Sequence, residues 1–368
     1  MRFCAVLRKY PKDVPGGAEY QSYLISRELA KRGHETHYVA YQSDRVETIE
    51  DEGITVHRLN ATKTQALEAL KDIRADIYYF RLALDLPLLW RAKRQLDSTF
   101  VYNISRDIQC QPLFSGGLHQ PSKGLLQNLV SMGRYAIYRY LLRVPDVIFT
   151  QTRQQQALLE ENHDLQSTLI GNGHPVPDPD FKKETPPVVL WLSSLKRVKN
   201  PETFIRLFEA TEDLSCQFWI VGRPVNEEVH EYVQQKADQH EKLEYLGGCG
   251  VQESNEYFKK ASVYVHTGGS EGFPNTFIQS WLHRTPVVSF STDPDSAIKN
   301  NTIGVRCKSI KEAKETITQM IEDPEYCGQI SMNAREYGIN NHSIEKITDR
   351  IERRLETLIE ETHNTETE

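Results

Sequence analysis

Glu271-Gly272-Phe273-Pro274-Asn275-Thr276-Phe277-Ile278-Gln279, followed by Trp281 and then by Pro286-Val287-Val288-Ser289, is the stretch on which the reading of this chain turns. It is a carboxylate in a loop, a Gly/Pro turn, a helix start and a short buried strand. A carboxylate beside a helix N-terminus can bind a sugar hydroxyl while the free first-turn amides hold a phosphate. That pairing suits a nucleotide-sugar ligand. Upstream, Val263–His266 reads as a strand that runs out into Gly268-Gly269-Ser270.

Working outward, strand-like and helix-like segments alternate from end to end. In the first half the predicted strands are Phe3–Leu7, Thr36–Ala40, Thr55–Leu59, Asp76–Phe80, Phe100–Ile104, Val147–Thr150 and Thr168–Ile170. The clearest helix is Ala18–Arg32, with Tyr20, Leu24, Ile25 and Leu29 on one face and Gly33 as its stop. A Pro-, Gly- and charge-rich break, residues 175–187, reads as an interdomain linker. The alternation then restarts with strands Val188–Leu192, Gln217–Val221 and Leu243–Leu246, and helices Pro201–Ala210, Glu227–Gln239 and Glu253–Lys260. Three helical stretches close the chain, near Ile310–Ile321, Tyr326–Tyr337 and Ser343–Ile359.

This pattern predicts an α/β protein with parallel sheets and crossover helices. The expected division is residues 1–174, a linker at 175–187, a second domain at 188–342, and a terminal segment, 343–368. That last segment is a helix, a candidate for returning to the first domain, with an acidic tail. Two Rossmann-like, doubly wound domains facing a central cleft would place both sets of strand ends at one ligand site.

The 368 residues are 39% hydrophobic and 26% charged, which describes a globular protein. A net charge of −7 argues against recruitment of nucleic acid. No apolar run approaches the roughly 18 residues that span a bilayer, and the N-terminus lacks the features of a secretory signal. Six scattered cysteines without a C-x-x-C pair read as buried, reduced thiols, which favours the cytoplasm.

Four further constellations carry chemistry. Pro15-Gly16-Gly17-Ala18-Glu19 lies between the first strand and the first helix. It is a loop that admits a phosphate or sugar, or a plain strand–helix turn. Lys196-Arg197-Val198-Lys199 follows a strand, where cations can neutralise a pyrophosphate leaving group; the alternative is a solvated basic loop. Arg106-Asp107 closes another strand as a candidate substrate-binding pair; an arginine there cannot act as a base at neutral pH, so Arg106 is a phosphate or acceptor contact, or a surface arginine. Residues 121–143 form a basic amphipathic helix with Lys123, Arg134, Arg139 and Arg143 among leucines and tyrosines. Such a helix packs on the core or lies at the inner face of a membrane as a peripheral contact. The 12 histidines show neither H-E-x-x-H nor H-x-H spacing, so no metal site is expected.

The Glu271 segment, the Gly16-Gly17 loop and Arg32-Gly33-His34-Glu35 together resemble the retaining glycosyltransferases of the GT-B fold, glycosyltransferase family 4 (glycosyl transferases group 1). The resemblance implies that Glu271 contacts the donor sugar and that Lys199 is the family's lysine. It implies that Phe273, Pro274, Asn275 and Thr276 form the cradle facing the diphosphate, and that Gly16 and Gly17 lie near the donor diphosphate and the acceptor. Three positions depart from the family pattern. Ser193-Ser194 stands where Gly-Arg is usual, leaving Arg197 or Lys196 as the replacement cation. Arg106-Asp107 stands where His-Asp is usual, and Gln279 where a second glutamate holds the ribose. The uncharged Gln279 weakens that contact by about 1–2 kcal/mol.

The implied activity is metal-independent transfer, without a cofactor, from a nucleoside-diphosphate sugar to a carbohydrate or lipid-linked acceptor hydroxyl, as in polysaccharide, glycolipid or glycoconjugate synthesis. A non-catalytic nucleotide-sugar-binding partner subunit, and an epimerase or hydrolase on the same fold, are the alternatives.

Overall fold

The computed structural model describes residues 1–112, 125–179, 182–269 and 271–365. The chain forms two compact units. One is Met1–Gly173 together with the segment from Ile344 onward; the other is His174–Ser343.

The first unit begins β1 (Arg2–Leu7), α1 (Gly17–Lys31), β2 (Glu35–Ala40), β3 (Gln42–Asp51), β4 (Ile54–Asn60) and α2 (Lys63–Ile73). It continues β5 (Ile77–Phe80), α3 (Leu86–Lys93), β6 (Thr99–Asn103), α4 (Leu125–Leu141), β7 (Val147–Thr150), α5 (Arg153–His163) and β8 (Thr168–Leu169). The sheet order is β3-β4-β2-β1-β5-β6-β7-β8. Every neighbouring pair is parallel except β3 with β4. Phe3 to Leu7 are fully buried, as a central strand covered by helices on both faces requires. From β1 the chain builds one way through β2, and from β5 it builds the other way. The strand order therefore reverses between β1 and β5, the place where open α/β sheets bind ligands.

α1 buries Tyr20, Leu24, Ile25 and Leu29, the face its periodicity predicts. β3 was not predicted. Its sequence is polar and mostly exposed, so burial left no alternating signature. It is held by a tight hairpin at Glu52 (φ 51°) and Gly53 (φ 82°), and its charges suit an edge strand.

The second unit holds β9 (Val188–Leu192), α6 (Pro201–Ala210), β10 (Gln217–Val221), α7 (Glu227–Gln239), β11 (Leu243–Tyr245), α8 (Val251–Lys260) and β12 (Val263–His266). There follow α9 (Asn275–Leu282), β13 (Val287–Ser289), α10 (Ala297–Asn301), β14 (Gly304–Arg306), α11 (Ile310–Glu322) and α12 (Pro324–His342). Its six strands are all parallel, in the order β11-β10-β9-β12-β13-β14, with the reversal between β9 and β12. Trp191 and Trp281 are its largest buried side chains. The short β14 and α10 also escaped the sequence reading.

The last helix, α13 (Ile344–Thr365), packs on the first unit. Ile347, Ile351 and Leu355 are buried. Arg32 Nη1 donates to Asp349 Oδ1 and Glu352 Oε2, both at 2.7 Å.

The segment read as a linker belongs to the second unit and is strapped to it. Arg335 Nη2 donates to the Pro177 carbonyl at 2.8 Å. The buried Lys183 ammonium donates to Phe258 O (3.1 Å), His283 O (2.8 Å) and Thr285 Oγ1 (2.7 Å). Burial pulls its pKa down to about 7. Proline and glycine thus marked a stretch without regular backbone pairing, not a stretch without contacts.

Candidate functional site

In the second unit the loops after β9 and β12 meet at the reversal of strand order. After β9 the chain makes a short 3-10 turn, Arg197–Lys199, turns at Asn200 (φ 52°) and enters α6 with Pro201 at its first position. Thr267, just past β12, fixes this turn. Its Oγ1 donates to the Lys199 carbonyl at 2.7 Å and accepts from the Trp191 indole of β9 at 2.8 Å. Gly269 N donates to Val198 O at 3.3 Å. The loop after β10 presses on the same turn. A Cβ on Gly222 would stand 1.9 Å from Ser193 O, so only glycine fits there.

These stitches bring Lys199 and Glu271 together. The Lys199 ammonium donates to Glu271 Oε1. His266 Nε2, at the end of β12, lies 3.6 Å from the same oxygen. Burial alone would raise the Glu271 carboxyl, but His266 and Lys199 overcome it and hold the pKa at about 2. The carboxylate is ionised at any physiological pH, with its side chain still 27% exposed to a ligand.

α9 starts four residues after Glu271. Pro274 is its N-cap residue and no side chain caps it. The positive end of the helix dipole is therefore open beside the carboxylate. The side chains of the predicted cradle are used to hold it. The Phe273 ring lies 4.4 Å from His342 and 6.0 Å from Trp281. Thr276 Oγ1 accepts from Tyr264 OH at 3.0 Å, and the Asn275 side chain bonds the buried His174. Anchored side chains leave the backbone to face a ligand; Pro274 itself contributes no amide.

Gln279 is 3% exposed. Its amide nitrogen donates to Ser254 Oγ (2.8 Å) and Asn255 Oδ1 (2.9 Å) on α8, with Val251 O at 3.5 Å. A glutamate here would set a carboxylate against Val251 O and Asn255 Oδ1. The amide is thus fitted to α8, and the carbonyl oxygen is what remains for a ligand.

Of the basic loop, Lys199 is at the carboxylate but Arg197 pairs outward with Glu228 on the first turn of α7. Both side chains of that pair are well exposed, at 65% and 74%. Arg223 is a cation that the sequence reading passed over. Its carbonyl accepts from Leu195 N at 2.9 Å, which places it between the loops after β9 and β11. Its side chain is exposed and pairs with no carboxylate among the described residues. His266 ends a strand, and Thr267 and Arg223 follow strands; that position was the signal available for them.

In the first unit, Gly16 and Gly17 open α1 beside the strand-order reversal. A Cβ on Gly16 would meet the Glu19 carboxylate at 2.2 Å. Arg106 is exposed, with its backbone N–H on Gln109 Oε1 at 2.8 Å. Asp107 turns inward, and its Oδ1 accepts from Gln155 Nε2 at 2.9 Å. The structure therefore turns this pair apart, Arg106 to the surface and Asp107 inward. Arg81, at the end of β5, is 1% exposed and donates to Tyr79 OH and Asn172 Oδ1. It was not singled out from the sequence, although a cation directly after the apolar run Ile77–Phe80 marks a strand end. Among the described residues no group of three or more His, Cys, Asp or Glu is arranged to hold a metal ion.

Residues 177–337 match the family described as glycosyl transferases group 1, and residues 16–173 match the glycosyl transferase 4-like domain. No curated protein matches the sequence. Among solved structures, sucrose-phosphate synthase from Thermosynechococcus elongatus is 15% identical, over 98% of this chain and 99% of that one, with a TM-score of 0.78. HepE from Anabaena, in complex with UDP and glucose, is 15% identical over 96% and 99%, with a TM-score of 0.73. The UDP-forming α,α-trehalose-phosphate synthase from Burkholderia xenovorans, in complex with glucose-6-phosphate, is 11% identical over 97% and 100%, with a TM-score of 0.72. At these identities the likeness is one of fold.

Proposed function

We propose that this chain, which belongs to the glycosyltransferases of the GT-B fold, moves a hexosyl unit from a nucleoside-diphosphate sugar to an acceptor hydroxyl with retention of configuration. The observation that carries this reading is the Lys199–Glu271 pair, set across the strand-order reversal and directly before the uncapped start of α9. The second unit takes the donor and the first unit the acceptor. HepE, a fold neighbour, binds UDP and glucose, which supports a donor of this class.

Each residue then has a role. Glu271 accepts hydrogen bonds from hydroxyls of the transferred sugar. Lys199 and the start of α9 meet the diphosphate, and the exposed Arg223 and Lys196 add cations in place of the absent arginine. With cations and a helix dipole carrying the leaving charge, transfer needs no metal. The acceptor oxygen bonds to the anomeric carbon on the face from which the phosphate departs. The carbon–phosphate-oxygen bond breaks, and the acceptor proton passes to the departing phosphate. No side-chain base is needed, which accommodates Arg106 in place of histidine.

A non-catalytic nucleotide-sugar-binding subunit is the second reading, favoured by Gln279, whose amide is committed to α8. Incubation with nucleoside-diphosphate sugars and glycan or glycolipid acceptors separates the readings. Nucleoside diphosphate release that depends on acceptor, with a product of the donor's own anomeric configuration by NMR, is the expected outcome. An inverted product would overturn retention. Release without acceptor would indicate a hydrolase or epimerase, and binding without release the subunit.

A further inference from the structure

Between Asp107 and Asp146 the chain carries no Asp or Glu at all, although 51 of its 368 residues are acidic. α4 lies in this stretch. Residues 121–124 of the predicted amphipathic helix fall outside the described residues; its second half runs from Met132 to Leu141. One face is committed to the core of the first unit. Leu141 and Leu142 are buried, and Tyr138 OH donates to the Gln109 carbonyl at 3.0 Å. The opposite face is open. Met132 is 47% exposed, Ile137 61% and Tyr140 60%.

Met132, Ala136 and Tyr140 recur every fourth residue, with Ile137 beside them, so they form one stripe. Arg139 and Arg143 flank it on one side and Arg134 on the other. All three are exposed, and none pairs with a carboxylate among the described residues. Arg143 is steadied by donating to the carbonyls of Arg139 (3.0 Å) and His163 (2.5 Å). Unpaired cations can engage a new anionic surface without first breaking an ion pair.

We propose that this outward face of α4 docks the protein on an anionic lipid bilayer. Large apolar side chains between flanking arginines are the pattern of a helix lying in the headgroup plane, with the arginines reaching up to phosphates. The charge matches only locally, because the chain as a whole is negative, and so it also sets the orientation. A second copy of the chain fits less well. Three exposed apolar side chains fall short of the ~800 Å² per partner of a stable protein interface, whereas shallow insertion needs no more than this. No helix among the described residues is long and apolar enough to cross a membrane, so the contact is peripheral. The proposal is independent of the donor reading.

Co-sedimentation of the full chain with phosphatidylglycerol–phosphatidylcholine vesicles, against pure phosphatidylcholine, tests it. The expected result is pelleting with the anionic vesicles alone, weakening as salt rises. Arg134→Gln with Arg139→Gln should weaken partition on the order of 25-fold, about fivefold for each cation lost at the surface. Ile137→Ser with Tyr140→Ser should weaken it at unchanged charge. Because these positions are exposed, both variants keep the wild-type melting temperature. A wild-type chain that stays in the supernatant, or variants that pellet as it does, would overturn the proposal. So would a wild-type dimer that the Ile137→Ser, Tyr140→Ser variant renders monomeric without any vesicle binding.

Discussion

Glu271→Gln is expected to lower sugar transfer on the order of 10³-fold, the scale of losing one charge-stabilising group in a transition state. The substitution keeps shape and volume and still offers an oxygen to Lys199. What it removes is the negative charge that the donor hydroxyls and the developing positive charge of the sugar ring would meet. Fold is largely spared. The side chain is partly exposed, so the lost ion pair costs about 1–2 kcal/mol after solvent screening, a fall of a few degrees in melting temperature.

That fall has a defined pH dependence. The folded carboxyl, at about 2, lies below its ordinary 4.5. Its contribution to stability is therefore fully present above pH 4.5 and is lost as pH falls through 2. Melting of wild type and variant between pH 7 and pH 3 should show a constant gap down to about pH 5, narrowing to about half by pH 3. A gap that widened on acidification would contradict the assigned pairing, and wild-type turnover by the variant would remove Glu271 from the site.

Lys199→Ala is the second large effect. It leaves the Glu271 carboxylate without the ammonium it accepts from, in a half-buried loop where the His266 ring stands 3.6 Å away. Removing one member of such a pair is costlier than removing both, because the remaining charge is left desolvated. Lys199→Ala should thus cost about 1–3 kcal/mol of stability and lower transfer on the order of 10²- to 10³-fold. The double variant Lys199→Ala, Glu271→Gln should recover part of the stability and none of the activity. A double-mutant cycle reads this directly: a coupling of about 1 kcal/mol or more is expected for residues in contact. Additive stabilities would mean that the two side chains do not interact.

Much of the fold was legible because parallel strands are continuous apolar runs. Val263–His266 and Val188–Leu192 appear as strands by that rule, and in the first unit Tyr20, Leu24, Ile25 and Leu29 mark α1, between β1 and β2, by their helical spacing. β3 was not legible, since it is polar on both faces and exists through a hairpin. β14 is three residues long, too short for a period. In the site, Lys199 and Glu271 could be found from their places after strands and before helices. Their contact could not, because it depends on Thr267 and Trp191 holding two loops distant in sequence. Gln279 was read by its position, but its partners Ser254 and Asn255 lie on another helix, and no local pattern announces them. Arg197 shows what charge and loop position leave open. It has the right charge in the right loop, yet Glu228 draws it outward.

The most direct test of the central claim, a nucleoside-diphosphate-sugar site at Lys199 and Glu271, is the melting temperature of the wild-type chain with a panel of nucleoside diphosphates and their sugars, without added metal. A ligand at a hundred times its dissociation constant stabilises the fold by about 2.7 kcal/mol, a rise of roughly 3–4 °C for a chain of this length. The account predicts such a rise with one base, and its loss in Lys199→Ala. No rise with any member of the panel, or an equal rise in the variant, would contradict it.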